Sequence, residues 1–163
     1  MPIARHLLAG FAVIAVASAA QAQTDPKAVF EPRYAELRAA LETKDPAAVG
    51  KVVTPDYAMT DIRGDSHDVP GLIAMSDRMQ GKNGTRKNEL LSAAITGTTA
   101  KVELKVDSTS TRQGMDGQEH QMELIAISDD SWVLIDGSWR LKSSVQKDVT
   151  VMMDGEERFH QAN

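Results

Sequence analysis

The chain has 163 residues, of which 42% are hydrophobic and 25% charged, with a net charge of −5 and no cysteine. That composition excludes a disulfide scaffold and a lipidated N-terminal cysteine, and an acidic chain without a Lys/Arg cluster argues against nucleic acid as a partner. A chain of this length buries roughly two thirds of its unfolded surface and needs no covalent staple.

Arg5 and His6 precede an apolar stretch from Leu7 to Ala17, followed by Ser18-Ala19-Ala20-Gln21-Ala22. This pattern reads as a secretory signal peptide, with Ala20 and Ala22 fitting an Ala-x-Ala cleavage site. The apolar run falls well short of the ~20 residues that span hydrocarbon. Residues 1–22 are therefore expected to be removed, leaving 23–163 as a single exported domain, periplasmic or secreted and free of the membrane.

Phe30, Tyr34, Leu37 and Leu41 recur at helical spacing and define the inner face of a first helix. Pro32 suits a first turn and clashes in a helix interior, which places the regular helix start near Glu31. Asp45-Pro46 opens a second, short helix with Val49, Val52 and Val53 inward, and Thr54-Pro55-Asp56 is expected to stop it. Tyr57 to Asp61 reads as a short strand. A third helix is expected from about Val69 to Gln80, capped by Asp68 and ended by Gly81-Lys82-Asn83-Gly84.

From Arg86 the hydrophobic period becomes two. Val102, Leu104 and Val106 alternate with Lys101, Glu103, Lys105 and Asp107, the pattern of a half-buried strand. Turn signals at Thr96-Gly97, Asp116-Gly117 and Asp136-Gly137 divide residues 86–151 into a four-stranded antiparallel meander. The last is the clearest, an Asp-Gly pair between segments carrying Trp132 and Trp139. Asp129-Asp130-Ser131, polar between apolar stretches, reads as the bend that lets the sheet curl. Residues 154–163 read as a frayed tail.

Three helices, a short strand and a curled meander ending in Trp132-x-x-x-Asp136-Gly137-x-Trp139-Arg140-Leu141 resemble the nuclear transport factor 2-like (NTF2-like) superfamily. The Tyr34-Ala-Glu-Leu-Arg-Ala-Ala-Leu helix, the Asp45-Pro-Ala-Ala-Val segment and the Thr54-Pro-Asp-Tyr turn look like its SnoaL-like, ketosteroid-isomerase-like and calcium/calmodulin-kinase association-domain-like branch. The resemblance implies an α+β cone: three N-terminal helices packed on a curved, mostly antiparallel sheet that encloses a cavity. Members of that superfamily include isomerases, dehydratases and cyclases as well as proteins that only bind or dimerise.

Cofactor-free chemistry in such a cavity requires a base near an acidic carbon and a donor near the developing oxyanion. Tyr34 is the donor candidate, the alternative being a packed aromatic with its hydroxyl satisfied. Asp61 and His120 are candidate bases, with a turn residue and a structural histidine as the plainer readings. His67, Trp132 and Arg140 are candidate ligand contacts. Ser108, Ser110 and Arg112 continue the inward parity of Val102 and form either a polar rim or a solvated strand end.

No histidine spacing suggests a metal site and no glycine-rich phosphate loop occurs, so no cofactor is expected. The expected partner is a small apolar or mixed-polarity molecule, with a homodimer formed through the outer face of the sheet. A purely structural or interaction module stays open as an alternative. If Tyr34 and Asp61 are catalytic, Tyr34→Phe and Asp61→Asn are expected to leave stability within about 1 kcal/mol.

Overall fold

A computed structural model describes residues 25–79 and 81–163. The expected signal peptide, residues 1–22, lies outside them. Asp25 opens the first helix, α1 (Pro26–Glu42), by accepting the backbone N–H of Lys27 at 3.0 Å, with Pro26 in the first turn. The helix thus starts before Glu31 and carries Pro32 inside it. The reason is Phe30, which is 0% exposed and packs against Trp132 and Trp139 at ring-centroid distances of 5.4 and 5.3 Å. Burying one phenyl ring in two aromatic contacts is worth about 2–5 kcal/mol, comparable to the cost of an interior proline.

Asp45 caps the short α2 (Pro46–Val49) through the N–H of Ala47 at 2.9 Å. The first strand, β1 (Val53–Thr60), begins earlier than expected, so Thr54-Pro55-Asp56 lies in a strand instead of a stop. Its pairing is interrupted between Val53 and Ala58, an irregularity that accommodates a residue without an N–H. β2 (Ser66–His67) and α3 (Val69–Met79) follow.

The meander forms as the turn signals require: β3 (Lys82–Thr96), β4 (Thr99–Gln113), β5 (Glu119–Ile135) and β6 (Ser138–Met153). Asp136 and Gly137 have φ of 49° and 77°, the positive pair that a two-residue type I′ turn demands. The sheet order is β2-β1-β6-β5-β4-β3, with β1 parallel to β6 and the other pairs antiparallel. Helix α1 lies in the curve of this mixed sheet. Its Phe30, Tyr34, Leu37 and Leu41 form one core with Val49, Val53, Leu90, Val102, Leu104, Trp132 and Leu141.

Two expectations are corrected by the register. The curl is not made at Asp129-Asp130-Ser131 of β5, which alternates without interruption. The extra residues sit in β6, where Ile127 and Ser128 face Asp148 and Gln146, and Ser131 and Trp132 face Ser143 and Leu141. Each skipped residue bends β6 and increases local twist. The supposed frayed tail is a strand, β7 (Glu156–Ala162), returned onto β6 by a turn in which Asp154 and Gly155 have φ of 53° and 81°.

β7 is held by more than its ladder. Phe159 packs on a second cluster of Ile62, Ala126 and Val149, while the Gln161 and Asn163 side chains donate to the Ile62 carbonyl at 2.9 and 3.2 Å. Truncating half-buried Phe159 to alanine is expected to lower stability by about 1–2 kcal/mol in urea unfolding. An unchanged midpoint would show that β7 contributes nothing to the fold.

Candidate functional site

Inside the sheet's curve lies a cavity of ≈ 130 Å³, walled by α1, α3 and the inward positions of β1 and β3–β6. Its walls are mainly Leu37, Leu41, Met59, Leu72, Met75, Met79, Leu104, Val106, Leu124 and Leu141. Parity on β5 brings Leu124, Ala126, Ser128 and Asp130 to the same wall, and Trp132 follows in the core behind it. Asp130 is the sole carboxylic acid among the described residues that line this cavity.

Asp130 is 2% exposed, and its Oδ2 accepts a hydrogen bond from the Tyr34 hydroxyl at 2.6 Å. The same hydroxyl accepts from Trp132 Nε1 at 3.1 Å, and the two rings meet edge to face with centroids 5.1 Å apart. Asp130 Oδ1 is buried and has no hydrogen-bond partner among the described residues. Burial pushes the Asp130 carboxyl above the ordinary carboxylate range. The Tyr34 hydrogen bond, and then the proximity of the Ser144 and Ser128 hydroxyls, oppose that rise, and the charge of Asp129 adds to it.

Burial likewise drives the Tyr34 phenol far above its usual value, with the Asp130 charge and hydrogen bond adding to the effect. Tyr57, also lining the cavity, is raised chiefly by burial. Both tyrosines therefore stay protonated. A buried acid with one free oxygen inside an apolar wall can donate when neutral and accept when ionised, so it can orient a polar ligand atom or move a proton.

Of the sequence candidates, Tyr34 reaches the cavity, with its hydroxyl committed to Asp130 and Trp132. Trp132 is fully buried in the core and absent from the cavity wall; it supports Tyr34 rather than a ligand. Asp61 and His67, considered separately in the sequence, form a pair away from the cavity, His67 Nε2 to Asp61 Oδ2 at 2.9 Å. Burial works against the Asp61 carboxylate, yet the His67 bond and the N–H groups of Asp65 and Arg63 hold it below the ordinary range.

His120 also lies off the cavity. It clasps two turns together, Nδ1 to Asp154 at 2.6 Å and Nε2 to Asp116 at 3.0 Å, contacts that raise its pKa with Asp154 the larger cause. Arg140 faces Val133 with parity opposite to Trp139 and Leu141, outside the cavity wall. Ser108 does line the cavity. Ser110 is buried beside Gly81, and Arg112 donates to the Arg78 carbonyl at the end of α3.

Asp130 is the residue that sequence reasoning missed. The available signal was its even spacing from Ala126, Ser128 and Trp132 on one strand, which the polar Asp129-Asp130-Ser131 triplet disguised as a bend.

No family model matches the chain, and no curated protein matches it. Solved structures do. A putative scytalone dehydratase from Novosphingobium aromaticivorans aligns with a TM-score of 0.62 at 13% identity over 84% of this chain and 91% of that one. A hexachlorocyclohexane dehydrochlorinase (LinA) type 2 aligns with a TM-score of 0.58 at 8% identity, covering 84% and 88%. An NTF2-like protein with a cystatin-like fold, also from Novosphingobium aromaticivorans, gives 0.57 at 9% identity, covering 74% and 80%. At such identities the likeness is one of fold, and the fold of this chain is the NTF2-like α+β cone.

Proposed function

We propose that the protein binds a small, mainly apolar molecule in its cone, and that the molecule presents a carbonyl or phenolic oxygen to Asp130. The observation that carries this reading is the buried, unpartnered Oδ1 of Asp130 in a mainly apolar wall that holds no other carboxylic acid among the described residues. An orphaned buried polar atom is costly, and a ligand oxygen satisfies it. Favouring the neutral acid makes Asp130 a hydrogen-bond donor, as apolar sites do for carboxylic acids elsewhere. For scale, a dry cavity of about 150 Å³ accommodates a benzene ring.

A second reading, a cofactor-free isomerase, dehydratase or cyclase, draws support from the same carboxyl. A raised pKa brings an acid closer to the range useful for proton transfer. Two of the structural neighbours carry the names dehydratase and dehydrochlorinase. Binding is preferred because no second acid or histidine lines the cavity among the described residues. Export by the leader and dimerisation through the outer sheet face belong to the reading and rest on the sequence.

Native mass spectrometry of protein recovered from the host's exported fraction is expected to show a dimer starting at Gln23 that releases a small molecule on denaturation. Added acetophenone should bind about tenfold more tightly than ethylbenzene, which lacks the oxygen, and Asp130→Leu should abolish the difference. Equal binding of the two probes by the wild type would remove Asp130 from the site. Conversion of the retained molecule would favour the enzymatic reading.

A further inference from the structure

At the open end of the cone, Arg86 occupies an inward position of β3, paired with Ser108 of β4, and both residues line the cavity. The same two side chains continue into a wider mouth of ≈ 270 Å³ with Arg38, Glu42, Met79 and Thr85. A cation at this position ordinarily has a carboxylate partner. Arg86 has none at ion-pair distance among the described residues, and its side chain makes one long hydrogen bond, Nε to Asn88 Oδ1 at 3.4 Å.

The nearby acid is already engaged. Glu42 binds Arg38 Nε at 3.1 Å, and Arg38 also donates to the Arg86 backbone carbonyl at 3.2 Å. Two guanidinium groups therefore stand at the mouth beside one carboxylate, which Arg38 holds. The balance is visible in Arg86 itself: burial and then the Arg38 charge lower its pKa, with only Glu42 opposing them. A half-buried guanidinium with unused donors next to a like charge is stabilised by any anion that enters.

We infer that the ligand of this cavity is an amphipathic anion whose carboxylate or comparable oxyanion is held by Arg86 and Ser108 at the mouth while its apolar body fills the cone toward Asp130. This inference rests on the binding reading above and narrows its ligand class. Register sets the length. Ser108 pairs with Leu124 and Val102 with Asp130, so the two polar ends stand six strand residues apart, roughly 20 Å of backbone. The reach of the Arg86 side chain shortens the gap to be spanned.

The test uses a series of ω-oxo-ω-phenylalkanoates with about ten to fourteen chain carbons, long enough to span the gap left by the reach of Arg86, and their uncharged methyl esters, titrated calorimetrically into the full mature protein. The best carboxylate is expected to bind at least about tenfold more tightly than its ester, as a charge-assisted hydrogen bond requires. Arg86→Met should bring the affinity of each acid down to that of its ester in the same variant, removing the preference, and Arg86→Lys should restore part of it. Thermal melts confirm that each variant is folded. Esters that bind as tightly as their acids, or a preference that survives Arg86→Met, would overturn the anion site and leave the binding reading standing. Failure of every acid and every ester to bind would overturn both.

Discussion

Tyr34→Phe is expected to destabilise the protein by about 2–4 kcal/mol, because one hydroxyl satisfies two buried groups at once. Its loss leaves Asp130 Oδ2 without a donor and Trp132 Nε1 without an acceptor. A change within about 1 kcal/mol was expected only if Tyr34 were a catalytic donor, the alternative read from the sequence being a packed aromatic with its hydroxyl satisfied. The structure makes Tyr34 a part of the core.

The deficit should also depend on pH, with a sign fixed by Asp130. The folded-state pKa of Asp130 is raised above its unfolded value of about 3.9. Its contribution to stability is therefore fully present below that value and is lost as pH rises through the folded pKa. Tyr34 hydrogen bonding opposes the rise, so Tyr34→Phe moves the folded pKa further up and widens the gap from wild type toward alkaline pH. Urea unfolding at about pH 4 and about pH 8 measures this directly. A deficit that shrinks with pH would contradict a buried, proton-favouring Asp130.

Trp132→Leu is the second large effect, expected to cost about 3–5 kcal/mol. The indole is 0% exposed, packs on Phe30 and Tyr34, and fixes the Tyr34 hydroxyl through Nε1. Because that hydroxyl positions Asp130, the substitution should also weaken binding of acetophenone, although Trp132 does not line the cavity. Chemical denaturation and calorimetric titration check the two halves separately. Stability within about 1 kcal/mol of wild type would show that the indole is not central to the core.

Both effects converge on a triad assembled from distant parts of the chain, and that is why it was only partly legible. Tyr34 announced its inward direction through the helical spacing of Phe30, Leu37 and Leu41. Nothing local announced Asp130, because a carboxyl inside a strand becomes tolerable only when a remote tyrosine reaches it. The same logic applies to Arg86. Its inward position follows from pairing with Ser108, and its lack of a partner follows from Glu42 being committed to Arg38.

The helix through Pro32 and the strand after Gly155 were misread for related reasons. Proline signals a helix boundary locally, yet the burial of Phe30 between two tryptophans extends α1 across it. Residues 156–162 alternate weakly and look like a tail. They become a strand because β6 outlasts β1 and offers an unpaired edge, to which the Asp154-Gly155 turn delivers them.

The sequence by itself determined the elements, and their order carried the resemblance that implied the cone: helical and two-residue periods, three turn pairs and the core face of α1 are local patterns, enforced by backbone sterics and by burial of one face. The tertiary structure decided the site. Which polar group is buried, which cation lacks a partner and which edge takes another strand depend on contacts between residues tens of positions apart, and those energies exist only once the sheet has curled around the helix.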